Sequence, residues 1–389
     1  MVFTMKIRNG YMLRQIAGVS YILPVGQNIA DHKRGIKLNE SGLLLWNALQ
    51  NQADEEELLS LLMQQYEADA SDESLFREDI RHFLMQLTTL GIIYGTEASV
   101  PSSFEHYFQI GTLTLGYHGP EELIHPSFFA FACAPSQPDQ AIRIIPSAPA
   151  VHANGEILVR TKELTICKND AHYLFLYPEG FQVAECRLSL DGSIADFYCR
   201  SPFDEKARED LFHAIRFTFL VKAQMEGLFA LHSASILYQD SAWLFAGSSG
   251  TGKSTHAALW ERLFETPLLN GDLNLIGISG NVPVVYGIPW CGTSGIYTTK
   301  TYPLGGITLL KRAAENGALP MTEDERQLKV MHRLISPSWT NDMLSRNLDF
   351  SADLQTRIPV FCLQCTKETA AAHTMKQIID DSLSGPNED

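Results

Sequence analysis

The residues best suited to chemistry form a short glycine-rich run, GSSGTGKST, at 247–255. The run fits the pattern G-x-x-x-x-G-K-[ST], in which backbone N–H groups turn toward phosphate oxygens and the following helix adds the positive end of its dipole. An apolar stretch precedes it and a helical pattern follows it, which is the strand–loop–helix setting this chemistry requires. The sequence therefore predicts that a nucleoside triphosphate is bound by Gly247, Ser248, Ser249, Gly250, Thr251, Gly252, Lys253, Ser254 and Thr255.

Four side chains in and around this loop are candidates for phosphoryl-transfer chemistry. Lys253 is expected to reach the terminal phosphates, and Ser254 to offer its hydroxyl to Mg²⁺. The nearest suitable acid is Asp272, in LLNGDLNLI, either at a strand end as metal ligand and base or in a plain Asn-Gly-Asp turn. His232, on the strand before the loop strand, is either a core histidine or a hydrogen-bond partner of Asp272 or of the acceptor hydroxyl.

Three further patterns are less specific. Cys362 and Cys365 have CxxC spacing but end a strand-like run, so we interpret them as core residues rather than a metal or redox pair. The segment 286–295, YGIPWCGTSG, is either a loop over the active site or a tight turn with a packed Trp290. Lys311 and Arg312 either meet phosphate or are solvated, and we favour solvation.

Composition bounds the class of protein. The 389 residues suggest two or three domains, and 45% hydrophobic with 19% charged residues is typical of a globular chain. A net charge of −15 argues against non-specific binding to nucleic acid or anionic lipid. No apolar run approaches the roughly 20 residues of a membrane span, and the first residues do not resemble a signal peptide. Seven scattered cysteines indicate a reduced, cytoplasmic protein.

Residues 1–94 are expected to form one small unit. Two extended runs on either side of Ala17-Gly18 predict a β-hairpin. Three helices are then predicted, the first capped by Asn39, the second opened by Asp54 and the third starting near Asp72. A closing strand at 92–94 completes a winged-helix-like module.

The rest of the chain divides by pattern. Residues 95–104 are small and polar and predict a linker, and short alternating strands follow over 105–203. A long helix is expected at 204–226, stopped by Gly227, followed by two strands that lead to the phosphate loop. We place the domain that carries this loop at 204–389.

The N-terminal module resembles the PqqD family of small peptide-binding chaperones. The likeness is carried by GYMLRQIAGVSYILPVG, by LNESGLLLW with Asn39, Gly42 and Trp46, and by the TTLGII that ends the third helix. The resemblance implies that a precursor peptide adds a strand to the hairpin sheet and packs against the third helix. It makes a precursor peptide or protein the expected partner of residues 1–94.

The C-terminal part resembles the HPr kinase/phosphorylase family, which shares its core with phosphoenolpyruvate carboxykinases. The matching segments are LHSAS, GSSGTGKSTHAALW, LLNGD, and YGIPWCG followed by LGGITLLKRA. The resemblance implies an α/β (α+β) P-loop kinase core in which Lys253 and Ser254 take phosphates and metal, with His232 and Asp272 as catalytic histidine and acid. The family typically has two adjacent acids where this chain has Gly271-Asp272.

Together these features predict an ATP-dependent kinase, with ATP and Mg²⁺ as cofactors, that phosphorylates a hydroxyl, with serine favoured, on a peptide recruited by residues 1–94. Two alternatives stay open: a catalytically degenerate nucleotide-binding peptide chaperone, and a small-metabolite kinase. A phosphoryl donor other than ATP and a homo-oligomeric state are both compatible with the sequence.

Overall fold

The computed structural model describes residues 5–30, 32–51, 53–69, 71–95, 103–146, 155–200 and 202–384. These residues divide into two compact units. Unit one draws on 1–106, 117–125 and 141–215, and unit two on 107–116, 126–140 and 216–389.

The N-terminal part of unit one contains a hairpin sheet and a group of helices. Its strands are β1 (Met5–Ile7), β2 (Tyr11–Ile16), β3 (Val19–Pro24), β4 (Ile36–Leu38) and β5 (Ile93–Gly95). Its helices are α1 (Gln27–Ala30), α2 (Glu40–Gln50), α3 (Glu55–Gln65) and α4 (Glu73–Thr89). Strands β2, β3 and β4 form an antiparallel sheet in that order, and β1 pairs with β5.

Local sequence explains where these elements begin and turn. Ala17 and Gly18 both have positive φ, which suits the two-residue turn between β2 and β3. The Asn39 side chain accepts from the Gly42 N–H at 2.8 Å and caps α2. Asp54 and Glu57 form a capping box at the start of α3, because each side chain accepts the other residue's backbone N–H.

A core of apolar side chains holds the helices against the sheet. Buried residues from the sheet and helices include Ile22, Leu45, Trp46, Leu58, Ile80 and Leu87. This core lies within unit one and includes two side chains from its β-rich part, Ile145 and Tyr198.

The β-rich segment follows as a series of short strands. They are β6 (His106–Ile110), β7 (Leu113–His118), β8 (Gln140–Ile145), β9 (Glu156–Arg160), β10 (Thr165–Lys168), β11 (His172–Leu176), β12 (Val183–Ser189) and β13 (Ile194–Cys199). Two 3₁₀ turns, Glu121–Leu123 and Pro126–Phe131, lie between β7 and β8. Unit one contains the sheet order β8-β13-β12-β11-β10-β9, antiparallel except for the parallel pair β8–β13.

Unit two is a mixed sheet with helices on both faces. Its strands are β14 (Phe229–Tyr238), β15 (Ser241–Ala246), β16 (Leu268–Asn270), β17 (Leu273–Ser279), β18 (Val282–Tyr286), β19 (Thr301–Arg312), β20 (Gly317–Ala318) and β21 (Val360–Cys365). The helices from here onward are α5 (Glu205–Met225), α6 (Lys253–Phe264), α7 (Glu323–Met331), α8 (Asn341–Arg357) and α9 (Thr369–Leu383), and a 3₁₀ turn covers Gly292–Ser294.

Strand β15 occupies a central place in this sheet. It pairs antiparallel with β14 on one side and parallel with β19 on the other. Alternate side chains of β15 face different helices: Trp243 and Phe245 pack with residues of α6 and α9, and Leu244 with residues of α7 and α8. A strand fixed on both edges and both faces gives the loop that follows it a rigid starting point.

The predicted elements are confirmed at the hairpin, the three N-terminal helices, the β-rich segment, the long helix and the strands before the loop. The mixed α/β class is confirmed as well. Most of the predicted linker at 95–104 lies outside the described residues. The domain boundaries and the winged-helix likeness stay predictions.

Candidate functional site

The glycine-rich loop joins β15 to α6, so the motif has a strand before it and a helix after it. Gly250 and Gly252 have φ values of +73° and +103°, which side chains with a Cβ rarely adopt. Inside the loop, the Thr251 N–H and hydroxyl both donate to the Ser248 carbonyl, at 3.1 and 2.7 Å. The loop therefore closes on itself and leads directly into the N-terminus of α6.

Lys253 lies at the first position of α6 and is 8% exposed. Its Nζ donates to the Gly247 carbonyl at 3.3 Å, across the mouth of the loop. Burial lowers the pKa of Lys253. The negative charge of Asp272 opposes this shift, and the positive charge of Arg333 adds to it. An amine held at the loop mouth near an acid is placed to contact the phosphates of a nucleotide. Ser254 and Thr255 are exposed in the same helical turn.

Asp272 and His232 lie together, as the sequence predicts for one of its alternatives. The His232 Nδ1 is 3.3 Å from the Asp272 Oδ1, and each side chain is about one-third exposed. The hydrogen bond with His232 is the main cause that lowers the pKa of Asp272; burial opposes it, and the charges of His232, Arg216 and Lys253 add to it. Asp272 is therefore an ionised, solvent-accessible carboxylate at neutral pH.

A buried polar network holds the turn that carries Asp272. The Asn270 side chain accepts from the N–H groups of Asp272 and Leu273, at 2.9 and 3.1 Å, and donates to the Trp290 carbonyl at 3.1 Å. Below it, the Ser235 hydroxyl donates to Asn274 at 2.7 Å, and Asn274 donates to the Ser233 carbonyl, also at 2.7 Å. Because these groups satisfy one another, the backbone around Asp272 is fixed.

Gly271 has a structural reason to be a glycine. A Cβ at this position would lie 2.6 Å from the Ser294 Cβ, so any larger residue requires the 286–295 loop to move. The same loop packs against Asp272, because a Cβ on Gly292 would lie 2.8 Å from the Asp272 Cβ. The segment 286–295 therefore has features of both predicted alternatives. It packs beside Asp272, as a loop near the site would, and it buries Trp290, which is 1% exposed, as a tight turn would.

Two arginines contact the loop. The Arg312 guanidinium donates to the Gly250 carbonyl, and Lys311 and Arg312 are both exposed, as the favoured interpretation expects. The Arg333 guanidinium donates to the Ser248 hydroxyl at 3.1 Å. Sequence reasoning missed Arg333, because no motif surrounds it and its approach to the loop depends on a contact between distant segments.

The CxxC pair lies in the core of the sheet. Cys362 and Cys365 are buried free thiols on β21, which confirms them as core residues.

Within the described residues, no group of three or more His, Cys, Asp or Glu side chains is arranged to hold a metal ion. A magnesium–nucleotide site needs only one or two protein oxygens, since phosphates and water supply the others, so Asp272 and Ser254 still fit that ion. None of the helices in the described parts has the length and apolar character of a membrane span.

The N-terminal module offers a second candidate surface. Strand β4 is an edge strand of its sheet, and Asn39, directly after β4, also lines a cleft of about 490 Å³ between α2, α3 and α4. The Tyr66 and Phe76 rings stack at 5.9 Å along this cleft, and Tyr66 is 48% exposed. A strand edge beside a cleft lined by aromatic, aliphatic and polar side chains is a geometry that extended peptides bind. The cleft residues are Asn39, Ser41, Gly42, Leu45, Leu62, Tyr66, Phe76, Asp79, His82, Phe83 and Gln86.

Fold and sites define a mixed α/β protein that joins a small helical module to a sheet carrying a phosphate-loop motif. The family model for coenzyme PQQ synthesis protein D (PqqD) matches residues 29–93, and the hairpin at 11–24 lies outside that match. Among solved structures, the Hpr(Ser) kinase/phosphatase from Coxiella burnetii is similar, with 13% identity and a TM-score of 0.23. That similarity covers 41% of this chain and 99% of the other. No curated protein matches the chain.

Proposed function

We propose that the chain is an ATP-dependent kinase that phosphorylates a hydroxyl, with serine favoured, on a peptide bound by its N-terminal module. The observation that supports the proposal is that the Asp272 carboxylate, paired with His232, acts electrostatically on Lys253, which itself donates to the loop carbonyl of Gly247. Phosphoryl transfer asks a protein mainly for positioning and charge, and these groups supply both.

The chemistry follows from the positions of these groups. Loop N–H groups and Lys253 hold the triphosphate, and the Asp272 carboxylate accepts the proton as the hydroxyl oxygen forms its bond to the γ-phosphorus. The bond from that phosphorus to the β-bridging oxygen breaks, and ADP leaves. The Asp272 carboxylate and the Ser254 hydroxyl would hold Mg²⁺, which supplies neutralising charge to the phosphates. His232 orients Asp272 through their hydrogen bond.

The N-terminal module is proposed to supply specificity. PqqD is the family matched by residues 29–93, and the β4 edge with its neighbouring cleft suits an extended peptide. Tethering the peptide raises its concentration near the loop, so the catalytic pocket itself needs little selectivity.

One observation favours a second function, a nucleotide-binding peptide chaperone without turnover. Gly271 stands where the HPr kinase/phosphorylase family that the chain resembles typically has a second acid, and Ser294 packs against it, so Asp272 has no carboxylate beside it in the turn. In this case the chain binds ATP and a peptide and hands the peptide to another protein.

The test uses the purified full chain, Mg-ATP and a short peptide encoded beside its gene. Mass spectrometry of the peptide and an assay for ADP follow the reaction. Phosphate on the peptide, absent with Lys253→Ala, supports the kinase. Binding of both ligands without ADP formation supports the chaperone, and phosphate on a small metabolite but never on peptide contradicts both.

A further inference from the structure

Two guanidinium groups contact the phosphate loop at different atoms. Arg312 ends β19 and donates to the Gly250 carbonyl in the middle of the loop. Arg333 follows α7 and donates to the Ser248 hydroxyl near the loop's start, at 3.1 Å. Cations at a triphosphate loop compensate charge that the loop amides and one lysine only partly neutralise.

The two arginines approach from opposite sides of β15. Arg312 belongs to β19, which pairs with one edge of β15. Arg333 is attached to β14, on the other edge, because its carbonyl accepts from the His232 N–H at 2.9 Å and Leu334 bridges to Leu231. Arg333 therefore lies on the side of the loop that carries His232 and Asp272.

That side is where the transferred phosphoryl group must be. The acceptor hydroxyl has to lie between the acid that takes its proton and the γ-phosphorus that it attacks. A cation attached beside His232 is consequently nearer to the terminal phosphate than one attached to β19. Arg333 is partly exposed and its guanidinium donates to a neutral hydroxyl, so a phosphate oxygen is the stronger acceptor for it.

The single acid of this site increases the need for such a cation. Asp272 has Gly271 beside it rather than another carboxylate, and Ser294 fills the space. With one carboxylate available for metal, more of the charge that develops on the moving phosphoryl group falls to protein cations.

We propose that Arg333 contacts the terminal phosphate of a bound nucleoside triphosphate and stabilises the phosphoryl group as it moves to the acceptor, whereas Arg312 supports the loop. The contact with the terminal phosphate requires only that the chain binds a nucleotide. The stabilisation of the moving phosphoryl group rests on the proposed kinase function. In the transfer, the acceptor oxygen–phosphorus bond forms, the bond to the β-bridging oxygen breaks, the proton goes to Asp272 and ADP leaves.

The test compares ATP and ADP affinity by calorimetry in the full chain and in four variants. Arg333→Ala is expected to weaken ATP binding by roughly 10- to 100-fold while ADP binding changes by less than about threefold, as expected for a charged hydrogen bond to one phosphate. Arg333→Lys keeps the charge without the planar fork and recovers part of the loss. Arg312→Ala weakens both nucleotides by similar factors.

The matched control is Arg346→Ala, which removes an exposed helical arginine paired with Asp342 one turn away and should leave both affinities unchanged. A merely structural role for Arg333 would weaken ATP and ADP equally, so an unchanged ATP-to-ADP ratio in Arg333→Ala overturns the proposal. Absence of nucleotide binding by the wild type overturns it too, together with the phosphate-loop assignment.

Turnover separates this inference from the proposed function. If the peptide is phosphorylated, Arg333→Ala should lower kcat by on the order of 10³-fold, the lower range for an arginine acting on a transferred phosphoryl group. A normal kcat in that variant contradicts the second half of the proposal. If the wild type never phosphorylates peptide but Arg333→Ala still loses ATP selectively, the kinase function fails and the phosphate contact stands.

Discussion

The phosphate-loop region and the N-terminal module use different kinds of structure. Around the loop, individual atoms converge from distant segments: Lys253 on α6, His232 on β14 and Asp272 in the β16–β17 turn. The N-terminal module instead presents surfaces, a strand edge at β4 and a cleft between three helices. Loss of one such atom should abolish most of the activity, because no other group can replace it. Loss of one contact from a broad surface should weaken binding only in part. Substitutions in the two regions should therefore differ in both size and kind.

The largest effect is expected at Lys253. Lys253→Ala removes the amine at the loop mouth, so phosphoryl transfer should fall by on the order of 10³-fold or more, measured as phosphate on the peptide. Peptide affinity, measured by fluorescence anisotropy, should stay at the wild-type value because the substitution lies outside the PqqD-like module. Turnover above a tenth of wild type would show that the loop does not bind the transferred phosphate.

The second largest effect on turnover is expected at Asp272. Asp272→Asn keeps the shape but loses the charge, so turnover should fall by on the order of 10²-fold. Nucleotide affinity measured without Mg²⁺ should change little, since the loop amides and Lys253 remain.

His232→Ala is the companion variant. If His232 acts by orienting Asp272 across 3.3 Å, its loss should be milder, and the double variant should be far from additive. Normal turnover in both single variants would place the catalytic acid elsewhere in the chain.

A buried histidine makes the stability of the loop helix sensitive to pH. His256 is 3% exposed and accepts from the Trp260 indole at 3.2 Å, and burial lowers its pKa to about 4. Between pH 6.5 and 4 the unfolded chain binds a proton that the folded chain does not. The free energy of unfolding should therefore drop by about 3 kcal/mol as pH falls through this range.

His256→Gln keeps an acceptor for Trp260 and does not titrate, so it should lack this part of the pH dependence. Urea denaturation of both proteins at several pH values gives the difference. Parallel pH curves for the wild type and the variant would mean that His256 is not held neutral in the fold.

The smallest effect is expected in the N-terminal cleft. Tyr66→Ala removes a half-exposed ring that stacks on Phe76, so KM for the peptide should rise by roughly tenfold while kcat at saturating peptide stays unchanged. Leu75→Ala is the matched control, because Leu75 is 57% exposed on the neighbouring α4 but does not line the cleft. Equal KM values for the two variants would place the peptide elsewhere.

Much of both regions could be predicted from sequence because their signals are local. The Ala17-Gly18 turn, the start of α3 at Asp54 and the run from Gly247 to Ser254 each occupy a few consecutive residues, and neighbouring residues alone determine their geometry. The sequence predicts the His232–Asp272 pair only as an alternative to a core histidine, because the contact requires β14 and the β16–β17 turn to lie side by side.

The remaining features depend on contacts between distant segments. Nothing near Arg333 in the chain shows that it reaches Ser248, and nothing near Gly271 shows that Ser294 excludes a side chain there. The sequence shows that Arg312 lies at a strand end, which favours solvation, but it does not show that Gly250 is its hydrogen-bond partner. These contacts exist only once the sheet has brought β14, β15 and β19 together.

Recruitment of the peptide by the N-terminal module can be tested with two substrates of the wild-type chain. One is the whole peptide, and the other is only the short segment that contains the acceptor hydroxyl. Recruitment by the N-terminal module predicts that kcat/KM falls by on the order of 10²-fold for the short segment while kcat at saturation is retained, since tethering acts through effective concentration. Equal kcat/KM values for the two substrates would contradict the claim that one region recruits the peptide that the other phosphorylates.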